Sequence, residues 1–459
     1  MNRIKEGGPA MRKFVFIVLP LAFALSNCLA QSSGCSVPEN MTKGQKLPCL
    51  KAGVIMLDQP TLTAAQIQNG PDFDPADPGS NHFSWFTADE TISCYFRPHY
   101  AFAKVPGDSM KFQCWQMTPQ GGFYSTKGDP IQESAVKVVI SKDNSGEKSA
   151  ALFPADDTAD QHQIKADHFK IKYLRPPFPA HNPRFNEVFT GVATTRLMWV
   201  LGFPADHIYP AGAASCIGCS DDPFDKKLTE NKASLQDAPT VFKIVSAERE
   251  LPWDEINPDD DETWSWNDAA RFYSDGEWTH EQKVGFDAYR LALGLLHYFN
   301  ALPQQNRLDC AEWAKDKSAN GKTCLKPVFY VHDLGSTFGK KRSVLDLFGT
   351  NPRGIFSAYE QQTVFTNAAS CQLRDTLLGD KQVLKESQDV MIQRLTKLDR
   401  DTVKSIFRVA RFDIMDQEQV KRLRAKGVAD TSEAALDEWT DTFMKRIEEI
   451  RTAQNCKAN

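Results

Sequence analysis

Apolar residues recur with a period of two in short runs up to about residue 155, in alternating strand-like and helical runs from 156 to about 250, and mostly at steps of three and four after residue 265. His168-Phe-Lys-Ile-Lys-Tyr173 alternates, which sets Phe169, Ile171 and Tyr173 on one face of a strand and Lys170 and Lys172 on the other. Residues 91–96, 135–140 and 239–245 are further short strand-like runs, and Pro327-Val-Phe-Tyr330 reads as a buried strand. Phe185, Val188, Phe189, Val192, Arg196 and Trp199 make one largely apolar helical stripe. Asn182 caps it, Pro183 fits its first turn and Gly202 ends it. A second helix begins at Thr279, whose capping box with Gln282 precedes Phe286, Tyr289, Leu293 and Leu296. Leu291 and Leu295 widen its apolar face, so it is expected to be a buried spine. Val390, Ile392, Leu395 and Leu398, extended by Phe407 and Ile414, predict further helices. Trp439, Phe443, Ile447 and Ile450 predict a last one.

Strands first and helices after predict an α+β chain with two lobes. Residues 1–30 read as an export signal, with Arg12 and Lys13 before an apolar stretch too short to span a membrane. Residues 31–155 are expected to form a β-rich, disulfide-stapled module, 156–255 an α/β segment of an N-terminal lobe, and 256–459 a helical C-terminal lobe. A lipoprotein reading through Cys28 is disfavoured by Asn27 before it.

A net charge of −5 with both signs interspersed argues against a nucleic-acid binder. No later segment has a long apolar run, so no membrane span is expected after signal removal. An exported location implies periplasm or extracellular space, where ten cysteines after Ala30 favour disulfides. Short separations suggest Cys35 with Cys49, Cys94 with Cys114, Cys216 with Cys219 and Cys310 with Cys324, leaving Cys371 and Cys456 for each other. Cys216-Ile-Gly-Cys219 could instead be redox-active or hold a metal. The acidic runs at Asp72, Asp74 and Asp77 and at 259–262 lack EF-hand spacing and read as solvated loops. Trp264-Ser-Trp266 reads as a packing anchor. A hydrolase finds no Gly-x-Ser-x-Gly elbow and no His-Glu-x-x-His helix.

The chemistry-bearing residues fall in a definite order. Lys172 lies on a strand, with Lys243 on a later strand as its rival, and Glu187 lies on the helix that follows Lys172. The spine helix runs into His297-Tyr-Phe-Asn-Ala-Leu-Pro-Gln-Gln-Asn-Arg-Leu308. An insert bounded by Cys310 and Cys324 follows, and then Val331-His-Asp-Leu-Gly-Ser-Thr-Phe-Gly339. A strand lysine paired with a helix glutamate, and an acid plus glycine at a later strand end, are the phosphate and metal parts of a kinase-like site. This order resembles the atypical protein-kinase-like superfamily, including HipA toxin kinases, spore-coat CotH kinases and phosphatidylinositol kinases, over roughly residues 160–345. It is also similar to a group of uncharacterised exported bacterial proteins.

The resemblance implies a two-lobed fold that binds ATP with Mg or Mn. Lys172 and Glu187 would serve the nucleotide, and Asp333 and Gln305 the metal, with Asn306 as an alternative amide. Asn300 falls where the family has its catalytic aspartate. An amide is not basic, so a contribution of about 10²- to 10⁴-fold would be missing. No glycine-rich phosphate loop precedes Lys172. The expectation is therefore a pseudokinase or weak phosphotransferase. The alternatives are a non-enzymatic exported binding or scaffold protein, acting on an unknown protein or small-molecule ligand, and a thiol-disulfide protein using Cys216 and Cys219.

Overall fold

The structure, a computed structural model, describes residues 34–38, 43–59, 90–97, 110–118, 120–125, 130–154, 168–174, 187–219, 238–256, 264–298, 303–338, 355–374 and 381–458. There are short breaks at 133, 135, 143–147, 252 and 316–320, and residues 63, 66, 67 and 378 are also described. The expected export signal, both acidic runs and the Asn182 cap lie outside these residues.

Five strands close into a barrel: β1 (Thr91–Arg97), β2 (Met110–Gln116), β3 (His168–Tyr173), β4 (His207–Ile217) and β5 (Thr240–Arg249), in the spatial order β5, β3, β2, β1, β4. The β1–β4 contact is parallel and the others are antiparallel. Alternation fills the interior with Ile92, Cys94, Phe112, Cys114, Phe169, Ile171, Tyr173, Ala214 and Phe242, all buried. Tyr95, Trp115 and Met117 point the other way and are covered by Phe123 and Leu152. The boundary expected at residue 155 is corrected by this pairing. Strands on both sides of it share one barrel, since Phe112 faces Ile171 and Cys94 faces Cys216.

Alternation slips once in β5. Phe242 faces inward, but so do Val245 and Ala247, because Ile244 takes a left-handed φ of 56°. A β-branched residue in that region is a genuine outlier. The slip turns Ser246 and Glu248 onto the same face as Lys172 and Lys170, which they oppose in register.

Helix α1 (Glu187–Val200) follows β3. Its expected single apolar stripe is replaced by burial of nearly the whole circumference. Its polar side chains find backbone partners: the Thr195 hydroxyl donates to Asp206 O at 2.7 Å, and the Arg196 guanidinium donates to Ile208 O at 3.0 Å. Helices α2 (Trp266–Ser274) and α3 (His280–Leu296) begin the helical body, each with a complete capping box, and α3 is the buried spine. Strands β6 (Asn306–Cys310) and β7 (Pro327–Val331) form a hairpin against it, and Trp264 packs on Trp266 and Phe329.

Helices α4 (Lys385–Leu395), α5 (Arg400–Val409) and α6 (Thr431–Thr452) complete the body. The α6 stripe Trp439, Phe443, Ile447 and Ile450 is buried as expected. In α4 the buried stripe is rotated to Gln388, Met391, Arg394 and Leu395. Gln388 donates to Ile450 O and Ala453 O, and Arg394 to Leu57 O, so these polar heads satisfy carbonyls that would otherwise be stranded.

Residues 35–38 and 43–54 belong with this body and not with the barrel. Cys35–Val37 pairs with Lys322–Cys324, and Val54 bridges Val328. Cys35–Cys49, Cys216–Cys219, Cys310–Cys324 and Cys371–Cys456 are bridged as expected. The expected Cys94–Cys114 bridge is not formed, and both thiols are buried in the barrel. Register explains this: Cys114 stands opposite Phe96, and Cys94 opposite Gln116, so the two cysteines are diagonal neighbours rather than a direct pair. No described helix is long and apolar enough to cross a membrane.

Cys371–Cys456 closes a separation of 85 residues and ties the C-terminal tail, where Lys385 N–H donates to Lys457 O, onto the helical body. Replacing both cysteines by serine is expected to destabilise the protein by about 4 kcal/mol on the chain-entropy view of long loops. Denaturant unfolding of the variant beside the wild type measures it.

Candidate functional site

Four elements converge on the Lys172 ammonium. Its Nζ lies 2.7 Å from Glu248 Oε2, 3.3 Å from Asp333 Oδ1 and 3.4 Å from Glu187 Oε2. Lys172, Glu187 and Glu248 are at most 2 % exposed and Asp333 is 4 % exposed, so these charges compensate one another rather than being screened by water. Lys170 pairs with the same Glu248 carboxylate. Burial opposes the charge on Lys172, but Asp333, Glu248 and Glu187 outweigh it and hold its pKa well above the ordinary lysine value. Burial likewise disfavours ionised Glu248, but Lys170 and Lys172 hold it well below the ordinary carboxylate range.

Local sequence explains the approach. A Cβ at Gly335 would lie 2.7 Å from Glu187 Cγ, so only glycine lets the Asp333 turn close over α1. The Thr190 hydroxyl donates to Gly335 O at 2.6 Å, and the Thr194 and Thr337 hydroxyls meet at 2.8 Å. At the other end of the turn, Phe338 takes a φ of 57°, donates its N–H to Leu296 O and packs among Tyr359, Phe407, Phe412 and Trp439. The Val331 N–H donates to Tyr289 Oη at 3.0 Å, so the spine helix fixes the strand from which Asp333 departs.

The structure therefore brings together Lys172, Glu187 and Asp333. Lys243 is exposed on β5 and does not enter the cluster. Gln305 lies beside it through its backbone: the His332 N–H donates to Gln305 O at 2.8 Å, and Gln305 Oε1 is buried with no hydrogen-bond partner among the described residues. Asn300 lies outside the described residues. Asn306 instead donates to Trp264 O, a packing role. Tyr298, buried at the end of α3, has its pKa pushed well up by burial and then by Asp333.

Glu248 was not singled out from sequence, because strict alternation from Phe242 places it inside the barrel. Only the slip at Ile244 turns it outward. Asp206 was also missed; its Oδ2 meets His332 Nδ1 at 2.6 Å. Asp309, on β6, accepts from the Tyr330 hydroxyl at 2.7 Å, and burial pushes its carboxyl up to about 7.

No protein-family model matches the chain, and no curated protein matches it. Among solved structures it is similar to the Helicobacter pylori proinflammatory kinase CtkA, with a TM-score of 0.35 and 12% identity over 80% of this chain and 98% of that one. It is also similar to a structure of the Shewanella oneidensis MR-1 toxin–antitoxin system HipA and HipB with operator DNA, with a TM-score of 0.26 and 11% identity over 71% of this chain and 67% of that one.

Removing the ammonium leaves three buried carboxylates facing one another. Lys172→Met is expected to destabilise the protein by about 3–5 kcal/mol, whereas Lys243→Met, at an exposed position, stays within about 0.5 kcal/mol; thermal or urea unfolding distinguishes them. A raised acid has the opposite sign to a depressed one. The folded state binds the Asp309 proton more tightly than the unfolded chain does, so that contribution is complete below the ordinary aspartate value and is lost as pH rises towards 7. Asp309→Asn should therefore raise Tm relative to wild type by about 2–4 °C for each kcal/mol relieved at pH 8, and much less at pH 4.

Proposed function

We propose that this chain is an exported kinase-like protein, a pseudokinase or very slow phosphotransferase, that binds a nucleoside triphosphate with a divalent cation between the barrel and the helical body, which act as its two lobes. One observation carries the reading. A lysine on the third barrel strand meets a glutamate from the next helix and an aspartate from a distant strand end, three groups with separate duties towards a phosphate and its metal in kinase-like sites.

The residues present fit the cation. Among the described residues three buried carboxylates surround Lys172, and Gln305, whose backbone carbonyl accepts from the His332 N–H next to Asp333, has a buried amide oxygen without a hydrogen-bond partner. Asp333 and Gln305 would hold Mg or Mn, whose chemistry is to neutralise charge on phosphate oxygens. Lys172 would serve the phosphates and Glu187 would hold it in place. Glu248 is its nearest partner in this arrangement, so a phosphate must draw Lys172 away from Glu248 while Glu187 keeps it oriented.

Asn300, in the sequence position of the family's base, cannot accept a proton as a carboxylate does. Rate enhancement would then rest on positioning and charge neutralisation alone. The disulfides agree with an oxidising location.

Mature protein should gain about 2.7 kcal/mol when ATP with Mg or Mn is present at a hundred times its Kd, read as a rise in Tm, and Asp333→Ala should abolish the gain. No shift with any nucleotide in the wild type would refute the reading.

A further inference from the structure

Beside the lysine cluster lies a second group of ligand-type side chains. Asp206 sits between α1 and β4, Glu248 lies near the end of β5 and His332 follows β7. One ligand atom from each falls within 4.8 Å of the others. We propose that Asp206, Glu248 and His332 form a binding site for a divalent transition metal of the zinc class, adjacent to the Asp333 carboxylate but separate from it.

The donor set argues for the metal class. One imidazole with two carboxylates is a combination that zinc accepts from three protein ligands, leaving a fourth position for water. An imidazole nitrogen favours zinc-like ions, whereas magnesium takes oxygen ligands and keeps its waters.

Burial argues for a cation at this place. Asp206 is 2 % exposed, and its Oδ1 has no hydrogen-bond partner among the described residues. A stranded carboxylate oxygen in the interior is costly, and a bound cation would satisfy it.

The site is also held in shape. The Thr195 hydroxyl fixes the Asp206 backbone, Asp206 Oδ2 meets His332 Nδ1, and the His332 N–H is tied to Gln305 O. Glu248 is shared with both lysines, so Asp206 and His332 are the leading ligands and Glu248 the weaker third.

The inference stands without the nucleotide reading, because its test contains no nucleotide. Chelator-treated mature protein is titrated calorimetrically with Zn²⁺ and, separately, with Mg²⁺. Co²⁺ uptake is followed by visible absorption. The expected result is one Zn²⁺ per chain, no comparable Mg²⁺ binding, and Co²⁺ bands without the thiolate charge-transfer absorption that Cys94 and Cys114 would give. His332→Ala and Asp206→Asn should each weaken Zn²⁺ binding by about 10- to 100-fold or more, while Lys243→Met, at an exposed position outside the cluster, keeps it. Should His332→Ala fail to fold, His332→Gln takes its place, and the wild-type titration and Co²⁺ spectrum decide on their own. Absence of Zn²⁺ uptake by the wild type, thiolate bands on Co²⁺ loading, or equal affinity in the His332 and Asp206 variants would overturn the proposal.

Discussion

The Lys172 ammonium is the charge around which this molecule is assembled. Three carboxylates from α1, β5 and the turn after β7 can share one dry volume only with a cation between them. Each belongs to a different part of the chain, so the lysine fastens the barrel to α1 and to the helical body. Breaking a buried pair is far more damaging than never having built it, because the remaining charge cannot reach water.

Helix α1 carries that junction, and its composition follows from the position. It packs on β4 and β5 on one side and on α5 and the Asp333 turn on the other, leaving little of its surface for solvent. Valine, phenylalanine and leucine fill the contacts with both bodies. Threonines at 190, 194 and 195 give short hydroxyls that reach a carbonyl or another hydroxyl without opening a gap. Gly335 does the complementary work by having no side chain where Glu187 must pass.

The helical body is held differently. Aromatic rings around Phe338, Trp439 and Phe407 form its centre, and disulfides fix its periphery, including the N-terminal segment around Cys35 and Cys49 and the tail at Cys456. The aromatic centre reaches the site through Phe338 at the end of the Asp333 turn, and the charged cluster lies where the barrel and this body meet.

Sequence alone determined the elements whose signals are local. The alternation of 168–173, the capping box at Thr279, the α6 stripe and four of the five expected bridges all depend on residues close in the chain or on cysteine arithmetic. The order lysine, glutamate, aspartate was legible for the same reason, and the fold brought these three together.

Tertiary structure decided what no local pattern encodes. One left-handed residue, Ile244, reversed the facing of Glu248, and diagonal rather than direct pairing kept Cys94 and Cys114 apart. Barrel closure joined strands on both sides of residue 155, and Asp206 met His332 across 126 positions. Side-chain facing and contact between distant segments follow from how whole elements pack, and a period read along one strand carries no information about the strand beside it.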